Sequence, residues 1–115
     1  MTGQSRIKIR KGKTGEVLVD RKEIREMSEQ ELDTYKDIAG DGKGKVSRGF
    51  LFGVSEEIRP GLWMKAEVHA EITLECDQSE VGMEDGNDLA GEVAKNWALN
   101  DLEEAHIFLK EFGGK

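Results

Sequence analysis

Residues 62–76 read LWMKAEVHAEITLEC, and this stretch decides the fold. Leu62, Met64, Ala66, Val68, Ala70, Ile72, Leu74 and Cys76 alternate without a break with Trp63, Lys65, Glu67, His69, Glu71, Thr73 and Glu75. Successive side chains of a strand point to opposite faces, so this is one long strand with an apolar side and a polar side. The apolar side needs a cover, and the chain supplies a helical stretch directly downstream. Leu89, Ala90, Val93, Ala94 and Trp97 form an apolar stripe at helical spacing. Leu102, Ala105, Leu109 and Phe112 continue it out of phase, and Asn100 followed by Glu103 reads as a fresh N-cap. The spacing therefore predicts a break near 99–101 and two helical pieces. Asp77 and Glu80 are placed to open the first piece, but Gly82 and Gly86 weaken its start and favour a loop to about residue 85.

Upstream of the long strand, residues 45–56 also read as β. Val46, Phe50, Phe52 and Val54 share one face, interrupted by Arg48, while Ser47, Gly49, Leu51, Gly53 and Ser55 share the other. Pro60-Gly61 is a turn pair. Pairing Arg59 directly with Leu62 would set Val54 against the wrong face of the long strand. The connection therefore has an odd count or a bulge, and pairing Ile58 with Leu62 restores apolar against apolar.

The N-terminal part adds a second hairpin. SRIKIRK at 5–11 and EVLVD at 16–20 are short β-favouring runs around the turn composition GKTG. The charged stripe of the first run would keep an edge strand from pairing with other chains. Ser28 and Glu31 form a capping box, Leu32, Tyr35, Ile38 and Ala39 follow at helical spacing, and Gly40 stops a helix of 29–39. The predicted architecture is α+β: β-hairpin, helix, long β-hairpin, helix, with about four antiparallel strands and the helices packed on one face.

A chain of 115 residues fits a single domain, 1–115, and its composition is 37% hydrophobic and 36% charged. The one cysteine excludes an internal disulfide and a multi-cysteine zinc site, and it suits a reducing cytoplasm. No apolar run approaches the ~18 residues of a membrane span, and MTGQSRIKIRKGK lacks the apolar core of a secretory signal. The net charge of −7 is unevenly spread. Residues 1–25 hold eight Lys/Arg and three Asp/Glu, against nine and twenty-one in 26–115. A basic N-terminal hairpin is thus joined to an acidic body.

Several motifs fall short of the chemistry they imitate. Ala39-x4-Gly44-Lys45 lacks the hydroxyl residue of a phosphate loop, and Gly12-Lys13-Thr14 lacks its first glycine; neither lies between a strand and a helix. Asp37, Asp41 and Gly42 follow calcium-loop spacing, but Arg48 stands where a bidentate glutamate belongs, and Asp85-Gly86-Asn87-Asp88 departs sooner. Glu67, His69 and Glu71 share the polar face two residues apart, a spacing that admits a divalent metal or a general base. A solvated Lys/Glu/Thr face has the same look. His106 sits beside the apolar stripe of the last helix, and Cys76 lies on the core face as a small hydrophobe. Trp63 departs from its charged neighbours on the polar face, as contact residues do. Either the face receives a partner there or the N-terminal hairpin covers the ring.

The Pro-Gly turn, the long alternating strand ending in LECD and the Ala-rich acidic helix resemble small uncharacterised proteins of phages and other mobile elements, over residues 50–112. The resemblance implies an accessory role in a cytoplasmic setting and carries no site residues; no cofactor is expected from the sequence. The leading reading is a non-enzymatic accessory protein that binds another macromolecule, most simply a protein, through the exposed sheet face around Trp63 and the acidic helices. Homo-oligomers fit that reading, and a membrane does not. The alternatives are a single-stranded nucleic-acid binder using Arg6, Lys8, Arg10, Lys11 and Lys13 with stacking on Trp63, and a small metal-dependent enzyme using Glu67, His69 and Glu71.

Overall fold

A computed structural model describes residues 2–113 of the chain. The elements run β1 (Thr2–Lys11), β2 (Val17–Glu26), α1 (Glu29–Ile38), β3 (Gly44–Arg59), β4 (Leu62–Cys76) and α2 (Glu80–Gly113). The four strands form one antiparallel sheet in the order β2-β1-β4-β3. The α+β expectation holds, and β4 has the predicted bounds. Its apolar residues Met64 to Cys76 are buried, and α2 covers them with Leu89, Val93 and Trp97. Each large side chain in that core contributes roughly 1.5–3 kcal/mol.

The capping box on α1 is made as expected. Ser28 Oγ accepts from the Glu31 amide at 3.2 Å, and Glu31 accepts from the Ser28 amide at 2.9 Å. The Tyr35 hydroxyl donates to the Glu75 carbonyl at 2.7 Å, tying α1 to the end of β4. Gly61 has φ 83°, as the third residue of a type II turn with proline before it requires.

Four details differ from the sequence reading. First, Arg59 does pair with Leu62, and a bulge at Ile58 shifts the register so that Val54 faces Ala66. The bulge, not an Ile58–Leu62 pair, reconciles the two apolar faces. Second, the basic strand β1 is interior, flanked by β2 and β4, so its charges protect no edge. Third, the first hairpin and β3 are longer than predicted. The extension of β2 is cryptic because Arg21 and Arg25 face the helix while Ile24 faces outward.

Fourth, α2 is one helix of 34 residues with no break at 99–101. It starts at Glu80 because Ser79 caps it, accepting from the Gly82 amide at 3.1 Å. Gly82 and Gly86 are not breakers: a Cβ on Gly82 would stand 2.5 Å from the Asp77 carbonyl oxygen, and one on Gly86 2.8 Å from Cys76 Sγ. The helix lies that close to the end of β4. The apparent phase shift in the stripe disappears once Asp101 is counted as a core position, since it is buried at 2% exposure. Arg25 Nη1 donates to its carboxylate at 3.2 Å.

Candidate protein-binding face

The helices occupy one side of the sheet and leave the other open. Across that open side the register sets four rows, each running from β2 to β3. These are Ile24–Gln4–Glu71–Gly49, Lys22–Arg6–His69–Leu51, Asp20–Lys8–Glu67–Gly53 and Val17–Arg10–Lys65–Ser55. Trp63 and Glu57 pair beyond the last row. Four large apolar side chains stand out from this face: Ile24 at 81% exposure, Leu51 at 68%, Val17 at 47% and Trp63 at 45%. Gly53 has open space above it, and at Gly49 the nearest atoms are the Ala70 carbonyl oxygen, His69 Nε2 and Glu71 Cβ, so Leu51 stands between two positions without side chains.

The hairpin does not cover Trp63. The Gly12 amide donates to the Trp63 carbonyl at 2.8 Å, so the β1–β2 turn abuts the tryptophan backbone and leaves the ring half exposed. Ser47, Gly49, Leu51, Gly53 and Ser55 do share the face with Trp63, as the alternation predicts.

The basic residues singled out from the sequence are not a bare patch. Arg6 donates to both carboxylate oxygens of Asp20 at 2.8 and 2.7 Å. That hydrogen-bonded pair holds the Asp20 carboxyl below its usual range. Arg10 pairs with Glu67, and Lys11 with Glu16 at 3.2 Å. Lys8 lies between Asp20 and Glu67 in the register, and Lys13 stands exposed in the turn. Lysines and arginines on the open face number six and carboxylates six. Two more of the N-terminal arginines are paired to α2: Arg21 with Glu104 and Arg25 with Asp101.

The Glu67, His69 and Glu71 set is likewise engaged sideways. Glu67 is held by Arg10, Glu71 accepts from Gln4, and His69 Nε2 is 4.0 Å from Glu71. Arg6 is the lateral neighbour of His69, which disfavours a cation there. No group of three His, Cys, Asp or Glu side chains among the described residues is arranged to hold a metal ion. A shallow depression of about 650 Å³ between Gln4, His69, Glu71, Ser47 and Gly49 is lined by side chains bonded to each other, with Ser47 and Thr73 hydroxyls 2.7 Å apart.

The remaining motif residues serve the scaffold. Asp41 accepts from the Lys43 and Gln78 amides, and Asp77 accepts from the Asp41 and Ser79 amides, locking the α1–β3 and β4–α2 loops together. Asp85 to Asp88 lie within α2. Cys76 is fully buried with Met83 sulfur 3.7 Å away, and burial raises its thiol pKa. His106 is half-buried on α2. Arg48, which interrupts the apolar side of β3, fits because Gly91 leaves room for its guanidinium against α2, where it reaches the Asn87 carbonyl at 3.5 Å. The sequence reading missed the Arg25–Asp101 pair, whose only signal was a carboxylate inside an otherwise apolar helical stripe.

No family model, no curated protein and no solved structure matches this chain. None of its helices is long and apolar enough to cross a membrane, among the described residues.

Proposed function

We propose that this chain is a non-enzymatic binding module whose target is a protein and whose working surface is the helix-free face of the sheet. The observation that carries the reading is the coexistence on that face of four protruding apolar side chains, Val17, Ile24, Leu51 and Trp63, with two arginines, Arg6 and Arg10, already paired to carboxylates. Protein surfaces reward that combination, since exposed aromatic and large aliphatic groups supply binding energy while a balanced charge pattern supplies register. Nucleic acid rewards the opposite one. Its phosphates favour unpaired Lys and Arg, and Arg6, Arg10 and Lys11 are each bonded to a carboxylate. An accessory role of the phage or mobile-element kind, in a reducing cytoplasm, agrees with a small binding module that keeps its single thiol buried.

The test is affinity capture from the cells that make the protein, using wild type beside an Ile24→Ser, Trp63→Ser variant. Ile24 is 81% exposed and Trp63 45%, so the variant is expected to keep the wild-type circular dichroism spectrum. A protein retained by wild type, resistant to nuclease and lost with the variant supports the reading. Capture that nuclease abolishes, together with sub-micromolar binding of a labelled oligonucleotide near 0.15 M salt, overturns it. Five free cations would give a log–log salt slope of roughly −3.5 for a single strand, and with three of them paired roughly −1.4 remains.

A further inference from the structure

The sheet ends in two free edges, β2 and β3, and the chain treats them differently. Six of the ten residues of β2 are charged, the usual way in which an edge is kept from pairing with another chain. Strand β3 is 16 residues long, and its central run GFLFGVS, residues 49–55, carries no charge at all. Its first five residues, GFLFG, form a palindrome that the flanking serines extend. Ser47-x-Gly49-Phe50-Leu51-Phe52-Gly53-x-Ser55 reads the same in both directions about Leu51. Just outside it, Lys45 and Glu57 lie at equal distances from Leu51 and carry opposite signs.

We infer that β3 pairs antiparallel with β3 of a second copy, about a two-fold axis at Leu51, to give one continuous eight-stranded sheet. In that register Leu51 faces Leu51, Phe50 faces Phe52, Gly49 faces Gly53, Ser47 faces Ser55 and Lys45 faces Glu57. All but the Phe pair lie on the open side, where Leu51 is free to meet its mate. On the helix side the unlike pairs are Val46 with Glu56 and Arg48 with Val54, and Glu56 is the diagonal neighbour of Arg48, within reach of long side chains. The charges select against the alternative. A parallel pairing would set Lys45 beside Lys45 and Glu57 beside Glu57, and like charges across a ladder destabilise it.

The extent of the contact is adequate for a stable pair. Residues 45–57 span about 40 Å at strand rise. Alternate residue pairs exchange two bonds each, so about 12 to 14 new backbone hydrogen bonds form, against about ten in a typical interface. Because the contact is isologous and the β2 edge is charged, the assembly closes at two copies and does not grow into a fibre. The inference extends the protein-binding reading, because the joined edges merge two open faces into one platform with the Leu51 pair at its centre. It names a second copy as occupant of the edge and is judged separately from the target of the face.

Position 51 pairs with itself in this register, which gives a test that misfolding cannot imitate. Sedimentation equilibrium is run on wild type, Leu51→Glu, Leu51→Lys and an equimolar mixture of the two variants. Wild type is expected to be dimeric at about 100 µM, roughly a hundredfold above a micromolar Kd. Each variant alone sets like charges against each other at the axis and is expected to dimerise at least tenfold more weakly. The mixture is expected to recover dimers, as Glu meets Lys. A monomeric wild type, a variant that dimerises as wild type does, or a mixture that stays monomeric overturns the inference. Those results leave the capture comparison, scored on Ile24 and Trp63, to decide the protein-binding reading on its own.

Discussion

The buried pair between Arg25 and Asp101 is the polar contact on which the account of α2 depends. The Asp101 side chain is 3% exposed and that of Arg25 21% exposed. Replacing Arg25 by Met removes the partner and leaves the Asp101 carboxylate uncompensated in the core. Breaking a buried pair in this way costs about 3–5 kcal/mol. Water reaches the arginine side of this pair, so the lower end, about 3 kcal/mol, is expected. The accompanying loss of the rim contact from Arg25 to Glu23 at 3.2 Å adds little. With a urea m-value of about 1.5 kcal/mol/M, the midpoint should fall by about 2 M. The double variant Arg25→Met, Asp101→Leu replaces the pair with apolar volume, and it should lie within about 1 kcal/mol of wild type. The coupling energy from the full cycle is then about 2 kcal/mol or more. A loss below about 0.5 kcal/mol for Arg25→Met, or a double variant equal to the sum of the singles, would refute the claim that Asp101 is a core position of a continuous helix.

Three further outcomes follow from the packing. Ser5 is buried and its hydroxyl has no hydrogen-bond partner, so Ser5→Ala should raise stability by about 1 kcal/mol in the same denaturation assay. A Cβ on Gly3 would collide with the Trp97 ring and the Glu71 carbonyl oxygen, so Gly3→Ala should destabilise by roughly 1–3 kcal/mol. Hydrogen bonds from Ser79, and then from the Asp41 amide, hold the Asp77 carboxyl below its usual range. A depressed carboxyl stabilises the fold above its unfolded value near 3.9 and loses that contribution as pH falls through the folded value. The melting-temperature gap between wild type and Asp77→Asn should therefore be widest near neutral pH and close in acid; a gap that widens in acid contradicts the loop-locking role.

How much of this was legible in the sequence depends on which force placed each element. The bounds of β4 could be read directly because one face is wholly apolar and the other polar apart from Trp63. The start of α1 could be read because its capping box is local. The extent of β2 could not. Its helix-facing side chains, Arg21 and Arg25, are charged because α2 offers Glu104 and Asp101, and its outward Ile24 inverts the expected pattern. The same carboxylates hid the continuity of α2, and close approach to Cys76 and Asp77 disguised two packing glycines as helix breakers. The basic N-terminal segment invited a nucleic-acid reading because composition shows charge without its partners. Leu51 lay unremarked among small residues. Its palindrome was present in the sequence, but it carries meaning only once β3 is seen to be an edge, and strand order leaves no local signature.

The central claim is that this edge, in register about Leu51, is an interaction surface of the protein. Leu51→Cys tests it most directly. Residues facing each other in an antiparallel pair have Cα atoms about 4.5–5.5 Å apart, within the roughly 4.4–6.8 Å that a disulfide spans. The native Cys76 is fully buried and takes no part. Under mild oxidation Leu51→Cys should form a covalent dimer with itself. Gly53→Cys alone should not, because it faces Gly49, and it should cross-link when mixed with Gly49→Cys. Cross-linking of Gly53→Cys to itself in preference to Leu51→Cys, or no cross-linking at position 51, would contradict the account.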